Sequence, residues 1–225
     1  MSLRTIAFFD LDHTLLSGDS DVLWCEFLME KRILERASFS ARNADMEARY
    51  TSGTVGVEEF AQFYVSTLAG RSPAQWAPLR LEFLQALVVP RIPAAARQLV
   101  ERHRNAGDVL VMTTATNRFL TELTAEHFGI DHLLATETEI RDGIFTGRPE
   151  GTLNMRGGKV DRIEAWLDGR GESLDDYRSA AYSDSMNDLP LLEAVDDPVA
   201  VDPDPRLTEL ALARGWPILK LHGQR

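Results

Sequence analysis

The chain has a single cysteine, Cys25, among 225 residues, which excludes an internal disulfide. Cys25 lies in an apolar helical stretch and reads as packing, so a reducing, cytoplasmic setting is the natural expectation. Also missing is any uncharged apolar run near the ~20 residues that a membrane helix needs. The first apolar run, Ile6 to Phe9, is too short for a secretion signal, and acids follow it at once. Positive charge is scarce. The 24 Lys and Arg stand against 35 Asp and Glu, and the net charge of −11 argues against nucleic-acid binding. The five histidines show no zinc-ligand spacing, and His103, His127, His132 and His222 read as surface or helix-end residues. The hydrophobic share, 44%, is enough to bury a full core without covalent staples.

Against these absences one segment stands out: Thr5-Ile-Ala-Phe-Phe-Asp10-Leu-Asp12-His13-Thr14. A short apolar run, read as a buried strand, ends in two carboxylates at i and i+2. In a parallel α/β sheet, ligands bind outside the carboxyl ends of the strands. Period-2 geometry points Asp10 and Asp12 the same way, into that crevice. Two acids so placed repel, so one stays protonated or a cation sits between them. Turn and capping chemistry also favours Asp after a strand, and the pair alone decides little.

Three further segments change the balance. Asp108-Val-Leu-Val-Met-Thr113-Thr114 is a second strand ending in hydroxyls, where a helix is expected to begin. Gly157-Gly158-Lys159 places a lysine at the mouth of another helix. Ala180-Ala-Tyr-Ser183-Asp184 is a third strand ending in an acid, with Asp188 four residues on. A nucleotide-binding P-loop reading of Gly157-Gly158-Lys159 fails. Leu153 occupies its first glycine position, and Val160 replaces the Ser or Thr that would touch magnesium.

The ordered set, spanning Asp10 to Asp188, resembles the haloacid dehalogenase superfamily of phosphohydrolases, and most closely its phosphoserine-phosphatase-like branch. The resemblance implies a Rossmann-like parallel sheet core flanked by helices (residues 1–16 and 91–225), with a helical cap inserted after the first strand (17–90). It also implies magnesium held by Asp10, Asp184 and the Asp12 main-chain carbonyl. Asp10 is then the nucleophile that forms an aspartyl-phosphate, and Asp12 the general acid and base. Thr114 cradles the phosphate at a helix start, Lys159 neutralises its oxygens, and Asp188 holds a metal-bound water or orients Lys159. His13, Thr114 and Ser183 depart from the commonest residues at their positions, none of them losing a charge or hydroxyl that the chemistry needs. The implied partner is a small-molecule phosphate ester, and an acidic chain can take one when a divalent cation inverts the local field. Asp19 stands where the family's phosphoserine phosphatases carry a Glu that binds the substrate amine. Asp19 and Asp21 are therefore substrate-binding candidates, with phosphoserine and histidinol phosphate as candidate substrates, and helix capping is the competing role. An arginine from Arg49, Arg71 or Arg80 would be needed for a substrate carboxylate. The alternative class is a receiver-like module phosphorylated on Asp10 without turnover.

The pattern between Asp19 and Val89 is helical. Val57, Phe60, Ala61, Tyr64 and Leu68 recur at helical spacing, and Asp21–Leu34 and Ala74–Val88 follow less cleanly. Its aromatics, Trp24, Phe27, Phe39, Phe60, Phe63, Tyr64 and Trp76, are expected to form a core of their own. Downstream, helices are expected from Pro93 to Gly107, Asn117 to Phe128, Lys159 to Leu167 and Pro190 to Val195. A hairpin is expected around Asp142-Gly143, and strands at Val199–Val201 and Trp216–Leu219.

Overall fold

Ile6, Ala7, Phe8 and Phe9 are all fully buried. That fits a strand covered on both faces, as in parallel sheets with helices on either side. The computed structural model describes residues 4–223. Its strands are β1 (Arg4–Phe9), β2 (Val109–Asn117), β3 (His132–Arg141), β4 (Ile144–Glu150), β5 (Tyr177–Ser183), β6 (Asp197–Val201) and β7 (Ile218–Leu219). They form one sheet in the order β4-β3-β2-β1-β5-β6-β7. All neighbours are parallel except β3 and β4, joined as a hairpin. Its turn residues, Asp142 and Gly143, both have positive φ, as a tight primed hairpin turn requires.

Alternate β1 side chains enter different cores. Ala7 and Phe9 join a large apolar cluster on one face, and Ile6 and Phe8 a smaller one on the other. Between β1 and β2 run α1 (Ser20–Glu30), α2 (Arg36–Thr51), α3 (Val57–Val65), α4 (Pro73–Phe83) and α5 (Ala94–Ala106). The remaining helices are α6 (Arg118–Phe128), α7 (Gly157–Asp168), α8 (Leu189–Glu193) and α9 (Pro205–Arg214). Among the described residues, no helix is long and apolar enough to cross a membrane.

Several expectations need correction. The 16-residue α2 escapes sequence patterning because it buries only Asn43 and Met46. The Val57 helix stops at Val65, followed by a tighter turn over Ser66–Leu68. The aromatics do not make a separate core. Trp24, Phe27 and Trp76 share one cluster with Phe9 and Met112 of the sheet. Phe60, Phe63 and Tyr64 pack with Met155, which lies outside the helical insert. Helices that must sit on the sheet bury apolar faces against it, so a composition boundary is not a packing boundary.

Two histidines have structural partners, and His103 lies in the last turn of α5 as expected. His103 is wedged between Asp108 (Nδ1 to Oδ2, 2.7 Å) and the Tyr182 hydroxyl (2.8 Å). His222 donates Nε2–H to the Thr14 carbonyl at 2.9 Å, tying the C-terminal segment to the loop after β1.

Candidate active site

Register brings the motifs together. Phe9 is level with Met112 on one side and Tyr182 on the other. The residues that follow these three are therefore at the same carboxyl edge: Asp10, Thr113-Thr114 and Ser183-Asp184. β1 lies where the strand order reverses, the usual ligand-binding position in such sheets.

On one side of this edge the acids have a cation. Lys159 Nζ donates to Asp10 Oδ1 at 2.7 Å and to Asp188 Oδ2 at 2.6 Å. Its side chain is only 2% exposed. Burial works against the ammonium charge, but Asp10 and Asp188 outweigh it and hold Lys159 charged. Asp188 also accepts from the Ser183 hydroxyl at 2.7 Å. Thr14 Oγ1 lies 3.1 Å from Asp10 Oδ2 and 3.0 Å from Asp184 Oδ1, and accepts from the Asp184 N–H. Burial, aided by Asp188 and Asp12 and opposed by Lys159, pushes Asp10 up to about 7. Burial and the neighbouring Asp10 raise Asp184 well above the carboxylate range.

Three carboxyl groups crowd around one lysine, and all their donors are hard oxygens. That set fits a magnesium ion, which takes one or two carboxylates and keeps several waters. Among the described residues, no three His, Cys, Asp or Glu side chains form a metal cage. Asp10 and Asp184 would therefore need main-chain and water oxygens to complete the shell.

On the other side, among the described residues, no Lys or Arg bonds the acids. Asp12 Oδ1 accepts the Ser20 N–H at 2.7 Å, and its Oδ2 lies 2.9 Å from Thr116 Oγ1 and 3.3 Å from Thr114 Oγ1. Thr116 Oγ1 also lies 2.9 Å from Asp21 Oδ2. One hydroxyl has one proton to give, so two carboxylates can share it only if one of them carries a proton. Burial, with Asp19 and Asp12 nearby, raises Asp21 well above its ordinary range. Asp19 caps α1, accepting the Val22 N–H at 3.0 Å, so the capping role is real. It is also buried, and burial together with Asp12 pushes it up to about 8.

Thr114 sits inside β2, not at a helix start. The strand continues to Asn117, which caps α6 by accepting the Leu120 N–H. The Gly-Gly-Lys segment also has a steric reason for its glycine. A Cβ on Gly158 would lie 2.1 Å from the Leu153 carbonyl oxygen, so only glycine lets α7 start there. Sequence reasoning missed Asn154, whose buried amide donates to Thr113 Oγ1 and to the Thr114 and Leu134 carbonyls, fixing the approach to α7. It also missed Thr14 and Thr116; hydroxyls at loop and strand ends have no periodicity to betray them.

The three arginines considered for a substrate carboxylate are engaged elsewhere. Arg49 pairs with Glu59, Arg71 stacks on the Trp76 ring, and Arg80 holds the Phe119 carbonyl and Glu122.

The chain is similar to known proteins in sequence and in fold. The model of the haloacid dehalogenase-like hydrolase family matches residues 7–193. A histidinol-phosphatase of Neisseria meningitidis serogroup C (strain 8013) is 37% identical over 96% of this chain and 99% of its own. A solved protein of unknown function from Bordetella pertussis Tohama I superposes with a TM-score of 0.93 at 45% identity, covering 98% of this chain and 100% of that one. A phosphoserine phosphatase with an analogue of its phospho-aspartyl intermediate shares the fold, with a TM-score of 0.69 at 18% identity over 98% and 95% of the two chains. The chain thus belongs to the haloacid dehalogenase-like hydrolases, in their phosphoserine-phosphatase-like branch, and is a phosphatase acting on a small phosphate ester.

Proposed function

We propose that the protein is a magnesium-dependent phosphomonoesterase for a small phosphate that bears an amine and lacks a carboxylate, with histidinol phosphate the leading candidate. The observation that carries this reading is an asymmetry of charge in one cleft. Lys159 answers Asp10 and Asp188, whereas among the described residues no Lys or Arg bonds Asp19 or Asp21. A desolvated acid cluster wants a cation, and a substrate ammonium supplies one. A phosphoserine carboxylate would meet acids there, with Arg49, Arg71 and Arg80 turned to other partners.

In this reading a carboxylate oxygen of Asp10 attacks phosphorus, and the bond to the leaving oxygen breaks as Asp12 gives that oxygen a proton. Asp12 then takes a proton from the water that attacks the aspartyl-phosphate, releasing inorganic phosphate and free Asp10. Lys159 offsets charge on the phosphoryl oxygens, and the Thr114 hydroxyl donates to them. Asp188 orients Lys159. Magnesium would be held by Asp10, Asp184 and the Asp12 carbonyl, and would supply charge neutralisation for the approach of an anion to an anion. Residues 17–90 act as the cap that encloses the substrate.

The test is phosphate release from histidinol phosphate, phosphoserine and uncharged alkyl phosphates, with magnesium and with a chelator. Histidinol phosphate should lead by at least about tenfold, since an ion pair to a buried acid exceeds about 1.4 kcal/mol. Chelation should abolish turnover. A preference for phosphoserine would overturn the substrate, and undiminished turnover by metal-free Asp10→Asn would overturn the mechanism.

A further inference from the structure

The helical insert is tied to the rest of the chain by bonds of two kinds. At the end of α2, Asn187 Nδ2 donates to the Tyr50 carbonyl at 3.1 Å, and Arg156 Nη2 donates to the carbonyls of Gly53 and Val55, both at 3.1 Å. These bonds reach only main-chain oxygens, which a helix end leaves short of donors. At the start of α1 the tie is made by side chains, and it runs through Asp12.

The residue that makes it is Thr116. β2 carries a bulge at this point. Thr114 pairs with Ala135 and Asn117 with Thr136, the next residue of β3, so Ala115 and Thr116 have no counterpart there. Bulges beside working sites re-aim side chains. Here the buried Thr116 hydroxyl lies 2.9 Å from Asp12 Oδ2, 2.9 Å from Asp21 Oδ2 and 3.2 Å from Ser20 Oγ. Ser20 and Asp21 open α1. Three polar neighbours and a stiff, β-branched side chain keep this hydroxyl in one place.

The chemistry of Asp12 gives the hydroxyl a role. Asp12 Oδ1 accepts the Ser20 N–H at 2.7 Å, from a group that can only donate. The carbonyl oxygen of a carboxylic acid is its better acceptor, so a proton on Asp12 sits on Oδ2. That oxygen therefore serves the leaving group, and Thr116 is its nearer neighbour, with Thr114 Oγ1 at 3.3 Å. A hydroxyl can accept from Oδ2–H before the proton leaves and donate to the carboxylate afterwards. An N–H would suit only the second form. A residue that acts first as acid and then as base needs a partner that can do both.

We infer that Thr116 is a positioning residue: its hydroxyl, held by Asp21 and Ser20, keeps Oδ2 of Asp12 in place for proton transfer to the leaving oxygen. This rests on the phosphatase reading and adds to it the residue that sets its general acid. Two variants check that reading separately. Asp10→Asn should abolish turnover, and Asp12→Asn should slow alkyl more than aryl phosphates. If both do so while Thr116→Val changes nothing, only the inference falls.

The experiment follows release of the leaving alcohol in a single turnover, from an uncharged alkyl phosphate and from an aryl phosphate. Thr116→Val keeps the shape and loses the hydroxyl. It should slow the alkyl phosphate by about 10- to 100-fold, the usual cost of one bond to a charged group, and the aryl phosphate by less than about threefold. KM for the alkyl phosphate should stay within about twofold, since the bond serves the chemical step rather than binding. Thr116→Ser should recover most of the loss. Added to Asp12→Asn, Thr116→Val should cost less than about twofold more, because it acts through Asp12. If Thr116→Val does not fold, Asp21→Asn/Thr116→Val removes the stranded carboxyl, and comparison with Asp21→Asn on the same two substrates gives the same reading. Equal losses for alkyl and aryl phosphates, an unchanged alkyl rate, or a loss that multiplies with that of Asp12→Asn would overturn the inference and leave Thr116 a purely structural link to α1.

Discussion

Two groups of acids meet at one sheet edge, and they are held by opposite means. Asp10 and Asp188 share the buried ammonium of Lys159, with Thr14 bridging Asp10 to Asp184. Among the described residues, Asp12, Asp19 and Asp21 take hydrogen bonds from hydroxyls and backbone N–H groups, and no Lys or Arg bonds them. The first group carries its own counter-charge in Lys159. The second stores an unmet demand for positive charge, which only a proton or a ligand can meet. On the proposed reading, reaction type belongs to the first group and substrate choice to the second.

Removing the nucleophile should break the first group completely. Asp10→Asn keeps the size and the bond from Thr14 but cannot form the acyl-phosphate. A loss of kcat of about 10³-fold or more is expected, read by single-turnover phosphate release. If the variant accumulates a phosphorylated species, another residue is the nucleophile and the comparison between the groups fails.

Asp12 stands between the groups, so its loss should depend on the substrate. Asp12→Asn removes the proton for the leaving oxygen, and about 10²- to 10⁴-fold of rate is at stake for alkyl phosphates. Aryl phosphates leave with little help and should lose much less. Equal losses for both would show that Asp12 serves only the shape of the cleft.

The acids of both groups were legible in sequence, but the partners that hold the second group were not, for a physical reason. Asp10, Lys159, Asp184 and Asp188 follow apolar strands or open a helix, positions that strand register forces to one edge. The partners of the second group come from the insert and from hydroxyls such as Ser20 and Thr116, whose proximity depends on how helices cross. The sheet itself could be read because Ile6–Phe9, Val109–Met112 and Ala180–Tyr182 are apolar runs punctuated by polar ends. The helix α2 could not, because it covers little apolar surface. Arg156 and Asn187 were invisible for another reason: they bond to backbone carbonyls, which carry no side-chain signature.

Asp19 gives a smaller effect that separates capping from recognition. Asparagine caps a helix as well as aspartate does, so Asp19→Asn should keep the Val22 bond and the fold. It removes the charge offered to a substrate amine. The preference for amine-bearing over uncharged alkyl phosphates should fall about tenfold or more, while kcat on the uncharged ones stays within about twofold. An unchanged preference would leave Asp19 as a cap alone and shift the demand for a cation to Asp21.

The smallest effect concerns stability, and its sign follows from the same unmet demand. In the folded, metal-free protein Asp19 titrates at about 8 and Asp10 at about 7, against an ordinary 3.8. Between those limits the folded state keeps protons that the unfolded chain has released. Stability from these groups is therefore greatest in acid and is lost as pH rises through 7 to 8. Urea midpoints of metal-free protein should fall from pH 5.5 to 8.5. Magnesium should restore the midpoint most at the alkaline end, because it replaces the lost protons in the first group by mass action. Asp19→Asn should flatten the slope by a different route, since a neutral amide has no proton to lose, and should be the more stable protein at pH 8.5. A wild-type midpoint that rises over this range would show that Asp19 and Asp10 are ionised without strain, and would remove the electrostatic case for a cationic substrate.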